Sequence, residues 1–431
     1  MRESIAPLNL SWTQKVSGQH QTDNQQMFLG DLVRRSSLYM LGAASTSAGS
    51  FMMSMIIGRT MGAGGLGEYS ICITASTIAL LAADVGIDSM VMRTFACGSK
   101  ETNHLFNQIL AAKTAASICV ATVLVSLLLN FGWSNHAAFV AAALLIVPRG
   151  ISGTLESFLK ARNQRIGVTL ISVTSALLSV AAVAGTSITQ HSVQQVLLVL
   201  CVVETVKAFV LAVLITAKTG ITIRPAFFTF RALLRFLSRS LPFAALGIIT
   251  YAGGRSDILM LGALRGQAVA GTYAAADRFL IAGNLLAFSL YGAVLPAFAG
   301  IQDIRKHKES VISALTLALL AGGAGAVVLT LSASFILAAT FRFKESVGIL
   351  RVLSFSIPAL LCNTVLGAAV FSRHGEVRAL FILAGASLVG LILNFLLIPS
   401  LGAMGSAVAC IITESLTAGG YAYFYFWRIA R

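Results

Sequence analysis

The feature that most constrains this chain is a series of apolar segments, each about as long as a membrane-spanning helix. A helix needs about 20 apolar residues to cross the hydrocarbon core of a bilayer. The segments are continuous rather than alternating, so they predict helices and not the strands of a barrel. Twelve such runs occur, with approximate cores at 36–58, 69–92, 109–130, 136–158, 168–187, 194–217, 241–262, 271–297, 310–332, 346–371, 377–398 and 403–427. The sequence therefore predicts an all-α polytopic membrane protein with 12 transmembrane helices.

Composition and charge support this class and give an orientation. The 431 residues are 57% hydrophobic and 11% charged, with a mean hydropathy of +0.84, whereas soluble domains carry about 25% charged residues. The net charge of +15 fits basic cytoplasmic loops, and no aromatic-interleaved basic patch points to a nucleic-acid partner. With a cytoplasmic N-terminus, 21 Lys and Arg residues fall on the cytoplasmic side and 4 on the other. This bias predicts that both termini are cytoplasmic.

The two halves of the sequence share a short pattern. Four residues near the first two runs are repeated 204 positions later, near the seventh and eighth: Gly58, Gly62, Gly67 and Tyr69 correspond to Gly262, Gly266, Gly271 and Tyr273. A displacement of six runs preserves orientation, so the halves are predicted to be parallel repeats related by an axis along the membrane normal. We expect two parallel six-helix lobes around a central cavity.

The pattern divides the chain into four segments. They are a disordered cytoplasmic tail (1–30), an N-terminal six-helix lobe (31–217), a cytoplasmic linker (218–240) and a C-terminal six-helix lobe (241–431). The tail has no continuous apolar core of a cleavable signal peptide. In the linker, Arg231, Arg235 and Arg239 recur every four residues. This spacing fits an amphipathic helix on the membrane surface and equally a solvated basic linker.

Four charged residues flank the glycine turn between the seventh and eighth runs. They are Arg255 and Asp257 before the turn and Asp277 and Arg278 after it. Charges inside apolar runs need partners or a polar cavity. Two compatible interpretations follow: a neutral cluster that locks the hairpin, or a cavity-facing site or outer gate whose ion pairs break during transport.

Two carboxylates in the second run also call for a partner. Asp84 and Asp88 are four residues apart, which would place them on one helix face, where like charges repel. A cation is therefore expected nearby: Arg93, Lys113 or a transported ion. Asp84 and Asp88 are thus candidates for ion coupling.

The fourth and sixth runs hold a second group of charges. Arg149 follows Pro148, which should kink its helix, and Glu156 lies seven residues further along the same face. Arg149 either contacts an anionic substrate group or pairs internally with Glu156. Glu204 and Lys207, three residues apart, are predicted to form a pair of their own.

The twelfth run contains a single acid, Glu414, which is a further candidate for ion or proton coupling. No nucleotide-binding, metalloprotease, serine-hydrolase or EF-hand signature occurs in the sequence. The sequence therefore predicts no cofactor and no metal site.

Three glycine- and charge-rich stretches carry a family resemblance. They are IIGRTMGAGGLGEYS after the first run, RSDILMLGALRGQAVAGTYAAADR across the seventh and eighth, and PSLGAMGSAVACIITES at 399–415. These stretches resemble polysaccharide biosynthesis proteins of the oligosaccharide flippase type. That group belongs to a superfamily that also contains multidrug and toxin extrusion transporters and lipid II flippases. The resemblance covers roughly residues 30 to 428.

The resemblance implies a transporter rather than an enzyme. Such a flippase moves an undecaprenyl-diphosphate-linked oligosaccharide to the outer leaflet of a bacterial inner membrane by alternating access. Its partners would be membrane lipids and a polysaccharide polymerase or export complex. The family is expected to hold the sugar-diphosphate headgroup in a cationic cavity. Arg149 and Arg255 best match that role, followed by Arg278 and Lys113.

Two other functional classes are alternatives to a flippase. An ion-coupled multidrug extrusion antiporter favours unpaired acids in mid-membrane, for which Glu414, Asp84 and Asp88 qualify. A glycan polymerase or ligase embedded in the membrane needs a large outer loop with catalytic residues, and no predicted outer loop approaches that size.

Overall fold

The computed structural model describes residues 18–96, 102–130, 135–224, 251 and 253–429, and all regular structure in these ranges is helical. The elements are α1 (Gly18–Asp84), α2 (Ile87–Ala96), α3 (Thr102–Asn130), α4 (His136–Leu144), α5 (Ile146–Ala161), α6 (Arg165–Thr189), α7 (Val193–Thr219), α8 (253–265), α9 (Gln267–Ala299), α10 (Ile304–Thr340), α11 (Glu345–Ser354), α12 (Ser356–Phe371), α13 (Glu376–Leu401) and α14 (Ala403–Phe424), with a π-helical turn at Tyr425–Ile429.

The helices are those of a membrane protein. Nine stretches of the described residues are long and apolar enough to span a bilayer. The longest, Gly42–Asp84, covers two predicted runs because α1 is kinked at Gly62. Large apolar side chains such as Phe335, Leu331 and Phe288 are exposed on helix surfaces, as expected of side chains that face lipid. The all-α membrane class is confirmed, while the layout of twelve crossings stays a prediction.

Three predicted runs are interrupted helices rather than continuous ones. α1 and α2 are separated by Val85 and Gly86, both with positive φ. A single residue, Leu145, separates α4 from α5, and Phe355 separates α11 from α12. Only the break at Leu145 has apolar residues on both sides; Asp84 precedes the first break, and Ser354 and Ser356 flank the third.

Proline accounts for two of these breaks. Pro148 lies four residues after Leu144, the last residue of α4, and Pro358 lies four residues after Ser354, the last residue of α11. A proline ring clashes with the carbonyl four residues earlier and removes one hydrogen-bond donor. The kink predicted at Pro148 is thus confirmed. The two prolines lie in the fourth and tenth predicted runs, which are six runs apart like the two glycine turns.

Two predicted segments differ from the structure or lie outside it. α1 begins at Gly18, so residues 18–30 are helical and not the disordered tail that the sequence predicts. Residues 1–17 and the linker residues 225–240, which include the three regularly spaced arginines, lie outside the described residues.

The principal contact between the two halves is made by α1 and α9. A Cβ atom on Gly67 would lie 1.8 Å from the carbonyl oxygen of Gln267, and one on Gly271 would lie 1.8 Å from that of Ala63. Ala63 and Gln267 are themselves 204 positions apart. The contact is therefore reciprocal, as a two-fold relation between the halves requires, and only glycine fits on either side of it.

The turns beside this contact also match. Gly62 and Gly266 have φ values of 71° and 90°, in the region that glycine adopts without strain. Tyr69 and Tyr273 are both buried. The correspondence read from the sequence is thus a correspondence of backbone conformation and of packing.

Candidate functional site

A cavity of about 580 Å³ lies where the two halves face each other. The end of α1 and the following turn line one side, and residues of the C-terminal half line the other. Its charged lining residues are Asp84, Arg255, Asp257, Asp277 and Glu414. The cavity therefore collects the charges that the sequence marks as costly in a membrane.

Only one ion pair forms among the four charges around the glycine turn. Arg255 donates from Nη1 to Oδ2 of Asp277 at 2.6 Å. Asp257 instead accepts a hydrogen bond from the Tyr273 hydroxyl at 2.6 Å and one from the Ile258 amide at 2.8 Å. A phenol and an amide thus satisfy the second carboxylate without a cation.

Arg278, the fourth of these residues, points away from the cavity toward α1. Its Nη1 donates to the Ser50 hydroxyl at 3.1 Å, and no carboxylate of the described residues lies within 4.0 Å of it. The neighbouring rings of Phe51 and Phe279 meet edge to face, 5.3 Å apart. Arg278 therefore links the two halves beside their glycine contact.

Glu414 of α14 is held by an amide. Asn363 of α12 donates from Nδ2 to its carboxylate at 2.5 Å and to its backbone carbonyl at 3.1 Å. Within the part of the chain that the structure describes, no cation lies within ion-pair distance of Glu414. Its carboxylate faces the cavity.

At the break after Asp84, a lysine lies against the carboxylates of both Asp84 and Asp88. Lys113 of α3 is 1% exposed, donates to Asp84 and lies 3.7 Å from Asp88. Thr154 donates to Asp88 at 2.7 Å. The prediction that both acids share one helix face is wrong, because the helix ends between them. Lys113 is the cation that the sequence expects near the two acids, and its role in substrate binding stays a prediction.

A separate network joins α5 and α7. Lys207 contacts Glu156 at 2.8 Å and Glu204 at 3.9 Å, and Lys160 contacts Glu156 at 3.1 Å. The Nε atom of Arg149 lies 3.7 Å from Glu204. Internal pairing of Arg149 therefore occurs with Glu204 and not with Glu156. Arg149 does not line the central cavity in the part of the chain that the structure describes.

The cavity is thus acidic rather than cationic. Its described lining holds four carboxylate side chains and one guanidinium, and the expectation of a cationic cavity is wrong for this part of the chain. The physical reason is local pairing: Lys113 pairs with the lining residue Asp84 without lining the cavity itself, Arg149 contacts Glu204 outside the cavity, and Arg278 contacts a hydroxyl.

Neutral polar side chains complete the lining. Tyr251, Tyr273 and Asn284 face the cavity, and the sequence analysis assigned none of them to the site. Tyr273 is marked there only by the internal repeat, and no local pattern marks Tyr251 or Asn284. Phenols, amides and carboxylates are the groups that hydrogen-bond neutral polyols.

Comparison with known proteins fits this architecture. Residues 32–302 match the family described as polysaccharide biosynthesis protein. The chain belongs to the polysaccharide biosynthesis protein family. No curated protein matches it.

Solved structures share the fold of this family member. The lipid II flippase MurJ in an inward closed conformation has a TM-score of 0.74 at 14% identity, covering 90% of this chain and 87% of that one. An inward-facing multidrug resistance MATE transporter of the MOP superfamily has a TM-score of 0.70 at 13% identity, covering 88% and 94%. A MOP superfamily transporter from Pyrococcus furiosus has a TM-score of 0.62 at 14% identity, covering 91% and 94%.

The family and these structural neighbours are transporters or flippases and not enzymes, as the sequence predicts. At these identities the neighbours establish the fold alone. The chain is accordingly a multi-pass membrane protein with the fold of MOP superfamily transporters.

Proposed function

We propose that the protein is a flippase for lipid-linked oligosaccharides. It moves undecaprenyl-diphosphate-linked glycan repeat units from the cytoplasmic to the outer leaflet of a bacterial inner membrane by alternating access, and a polysaccharide polymerase or export complex receives them. The observation that carries the proposal is the polar cavity of about 580 Å³ between the halves in a member of the polysaccharide biosynthesis protein family.

The cavity chemistry suits a glycan. Carboxylates such as Asp257 and Glu414 accept hydrogen bonds from sugar hydroxyls, and the Asn284 amide both donates and accepts. Tyr251 adds an apolar ring face with a polar edge. These groups line the same cavity. The hydroxyl groups of a bound sugar can therefore replace the hydrogen bonds that water would otherwise make to them.

Arg255 is the side chain that we assign to the diphosphate. It is the one guanidinium among the described lining residues, and a guanidinium binds phosphate oxygens through two parallel hydrogen bonds. Its present partner, Asp277, is a carboxylate at 2.6 Å. Binding of the headgroup would exchange one anion for another, so this pair can act as a gate that opens when substrate arrives.

In the same proposal, Arg149 and Arg278 bind the diphosphate after Arg255, when the cavity changes sides. Arg149 has a long contact of 3.7 Å to Glu204, and Arg278 bonds only to a hydroxyl among the described residues. Rearrangement of α1 against α9 would free Arg278 for the diphosphate, and movement of α5 against α7 would free Arg149.

A deletion strain tests the proposal. Without the protein, lipid-linked repeat units should accumulate on the cytoplasmic leaflet, and the unaltered gene should restore their export. Arg255→Ala and Arg149→Ala should restore it poorly. Arg305→Ala is the control, because this arginine is 89% exposed and lies outside the cavity lining. Full restoration by both Arg255→Ala and Arg149→Ala would reject the assigned residues, and normal export in the deletion strain would reject the function.

The acidic lining favours a second candidate, an ion-coupled multidrug extrusion antiporter. Four carboxylates and one guanidinium line the described cavity, and such a site attracts cations. In that case the deletion strain should gain sensitivity to cationic drugs while its surface glycan stays intact. Asp257→Asn and Glu414→Gln should then lose resistance, whereas Arg255→Ala should keep it.

A further inference from the structure

A groove on α13, α14 and the π-helical turn combines two arginines with aromatic and aliphatic side chains. It encloses about 490 Å³ and shares no lining residue with the central cavity. We call it the basic groove. It is lined by Arg378, Phe381, Ile382, Gly420, Tyr423 and Arg428.

The basic groove lies at one end of the helix pair. Arg378 is in the first turn of α13, and Arg428 follows the end of α14. The rings of Tyr423 and Trp427 stack with centroids 5.9 Å apart and are 63% and 54% exposed. Exposed Trp and Tyr side chains concentrate at the headgroup level of a membrane. The groove therefore opens where lipid headgroups lie.

Its charge and apolar surface match one kind of ligand. The Arg378 guanidinium lies 5.3 Å from the centre of the Phe424 ring, which leaves its outer edge open. Neither Arg378 nor Arg428 forms an ion pair within 4.0 Å among the described residues, and both are exposed. Phe381, 65% exposed, continues the groove away from the charged end. Basic pockets between transmembrane helices at the cytoplasmic surface bind anionic lipid headgroups.

We propose that the basic groove binds an anionic phospholipid of the surrounding leaflet. Its phosphodiester lies between Arg378 and Arg428, and one acyl chain follows Phe381 and Ile382. Gly420 allows α14 to lie close to α13 in the groove, because a Cβ atom there would lie 2.6 Å from the Ile382 side chain. The site is peripheral, so it does not depend on which cargo the central cavity carries.

Quenching of Trp427 tests this proposal in the full chain. The protein has three tryptophans, Trp12, Trp133 and Trp427, so Trp12→Phe with Trp133→Phe leaves only the one beside the groove. The protein is placed in phosphatidylcholine vesicles that contain brominated phosphatidylglycerol or brominated phosphatidylcholine. Quenching by the anionic brominated lipid should reach its midpoint at a several-fold lower mole fraction. Equal midpoints for the two lipids would overturn the proposal.

Variants distinguish specific lipid binding in the groove from nonspecific electrostatic attraction of anionic lipids to the protein surface. Arg378→Gln with Arg428→Gln should lower the selectivity by about fivefold per arginine, while the two Lys replacements should retain most of it. Arg305→Gln, at an exposed arginine outside the groove, should leave it unchanged. An unchanged selectivity in the double Gln variant, or an equal loss in Arg305→Gln, would overturn the proposal. Displacement of the lipid by inorganic phosphate would also overturn it, because the groove would then be a site for free anions.

Discussion

At the scale of single residues, the glycines at the interface determine how closely the two halves approach. Gly271→Ala would place a Cβ atom 1.8 Å from the Ala63 carbonyl oxygen, so the backbones of α1 and α9 must separate. Overpacking of this kind costs about 1–3 kcal/mol. We expect a lower thermal unfolding midpoint in detergent than for Gly64→Ala, where a Cβ atom would meet nothing within 4 Å. Equal midpoints for the two variants would contradict the packing described here.

The same residues show what a sequence can reveal. Gly62 and Gly67 recur at a fixed spacing because backbone geometry admits only glycine there, and such constraints leave a trace in the sequence. The partner of Arg149 leaves no such trace. Glu204 lies on another helix, 55 positions away, and meets Arg149 because α5 packs against α7. The charged residues and the contact of Glu204 with Lys207 could be predicted from the sequence. The partner of Arg149 and the set of side chains that line the cavity could not, because they depend on how distant helices pack.

At the scale of elements, the ion network holds α5 against α7. Lys207 is 13% exposed and contacts both Glu156 and Glu204. Lys207→Met would leave two carboxylates short of a cation, and loss of one partner of a buried pair costs about 3–5 kcal/mol. The thermal unfolding midpoint should fall markedly. Lys160→Met is the matched control, since Lys160 is 31% exposed and exposed pairs contribute about 0–1 kcal/mol.

A second variant makes this test specific to charge. Adding Glu156→Gln to Lys207→Met removes one of the two carboxylates that have lost Lys207 as a partner and should recover part of the lost stability. If Lys207→Met and Lys160→Met lower the midpoint equally, the network does not hold the two helices together.

Helix breaks mark the limit of sequence reading at this scale. The break before Pro148 can be predicted from the sequence, because a proline ring disrupts a regular helix. The break at Val85 and Gly86 has no such marker, since one glycine inside an apolar run is compatible with a continuous helix. This break separates the two carboxylates: Asp84 lines the central cavity, while Asp88 accepts a hydrogen bond from Thr154 of α5.

At the scale of the whole molecule, the described contacts between the halves lie mainly along α1, α9 and the end of α10. Beside the glycines of α1 and α9, the Phe51 ring meets Phe279 and Phe341 at 5.3 and 6.0 Å. Arg59 of α1 donates from Nε to the Thr340 carbonyl at the end of α10, at 2.5 Å. The last carbonyl groups of a helix have no hydrogen-bond donors within that helix. Arg59, which belongs to the opposite half, supplies such a donor to α10. The proposed alternating access would require this whole contact to open.

Cross-linking tests whether the contact opens during transport. In a protein whose six cysteines are replaced, Phe51→Cys with Phe279→Cys is joined across the halves by a short bifunctional methanethiosulfonate. Export of lipid-linked repeat units should stop and should resume when reductant cleaves the link. Asn103→Cys with Thr222→Cys is the control, because these side chains meet at 3.2 Å within one half and their link should leave export intact. Undiminished export with the first pair fully linked would mean that the halves move about some other contact.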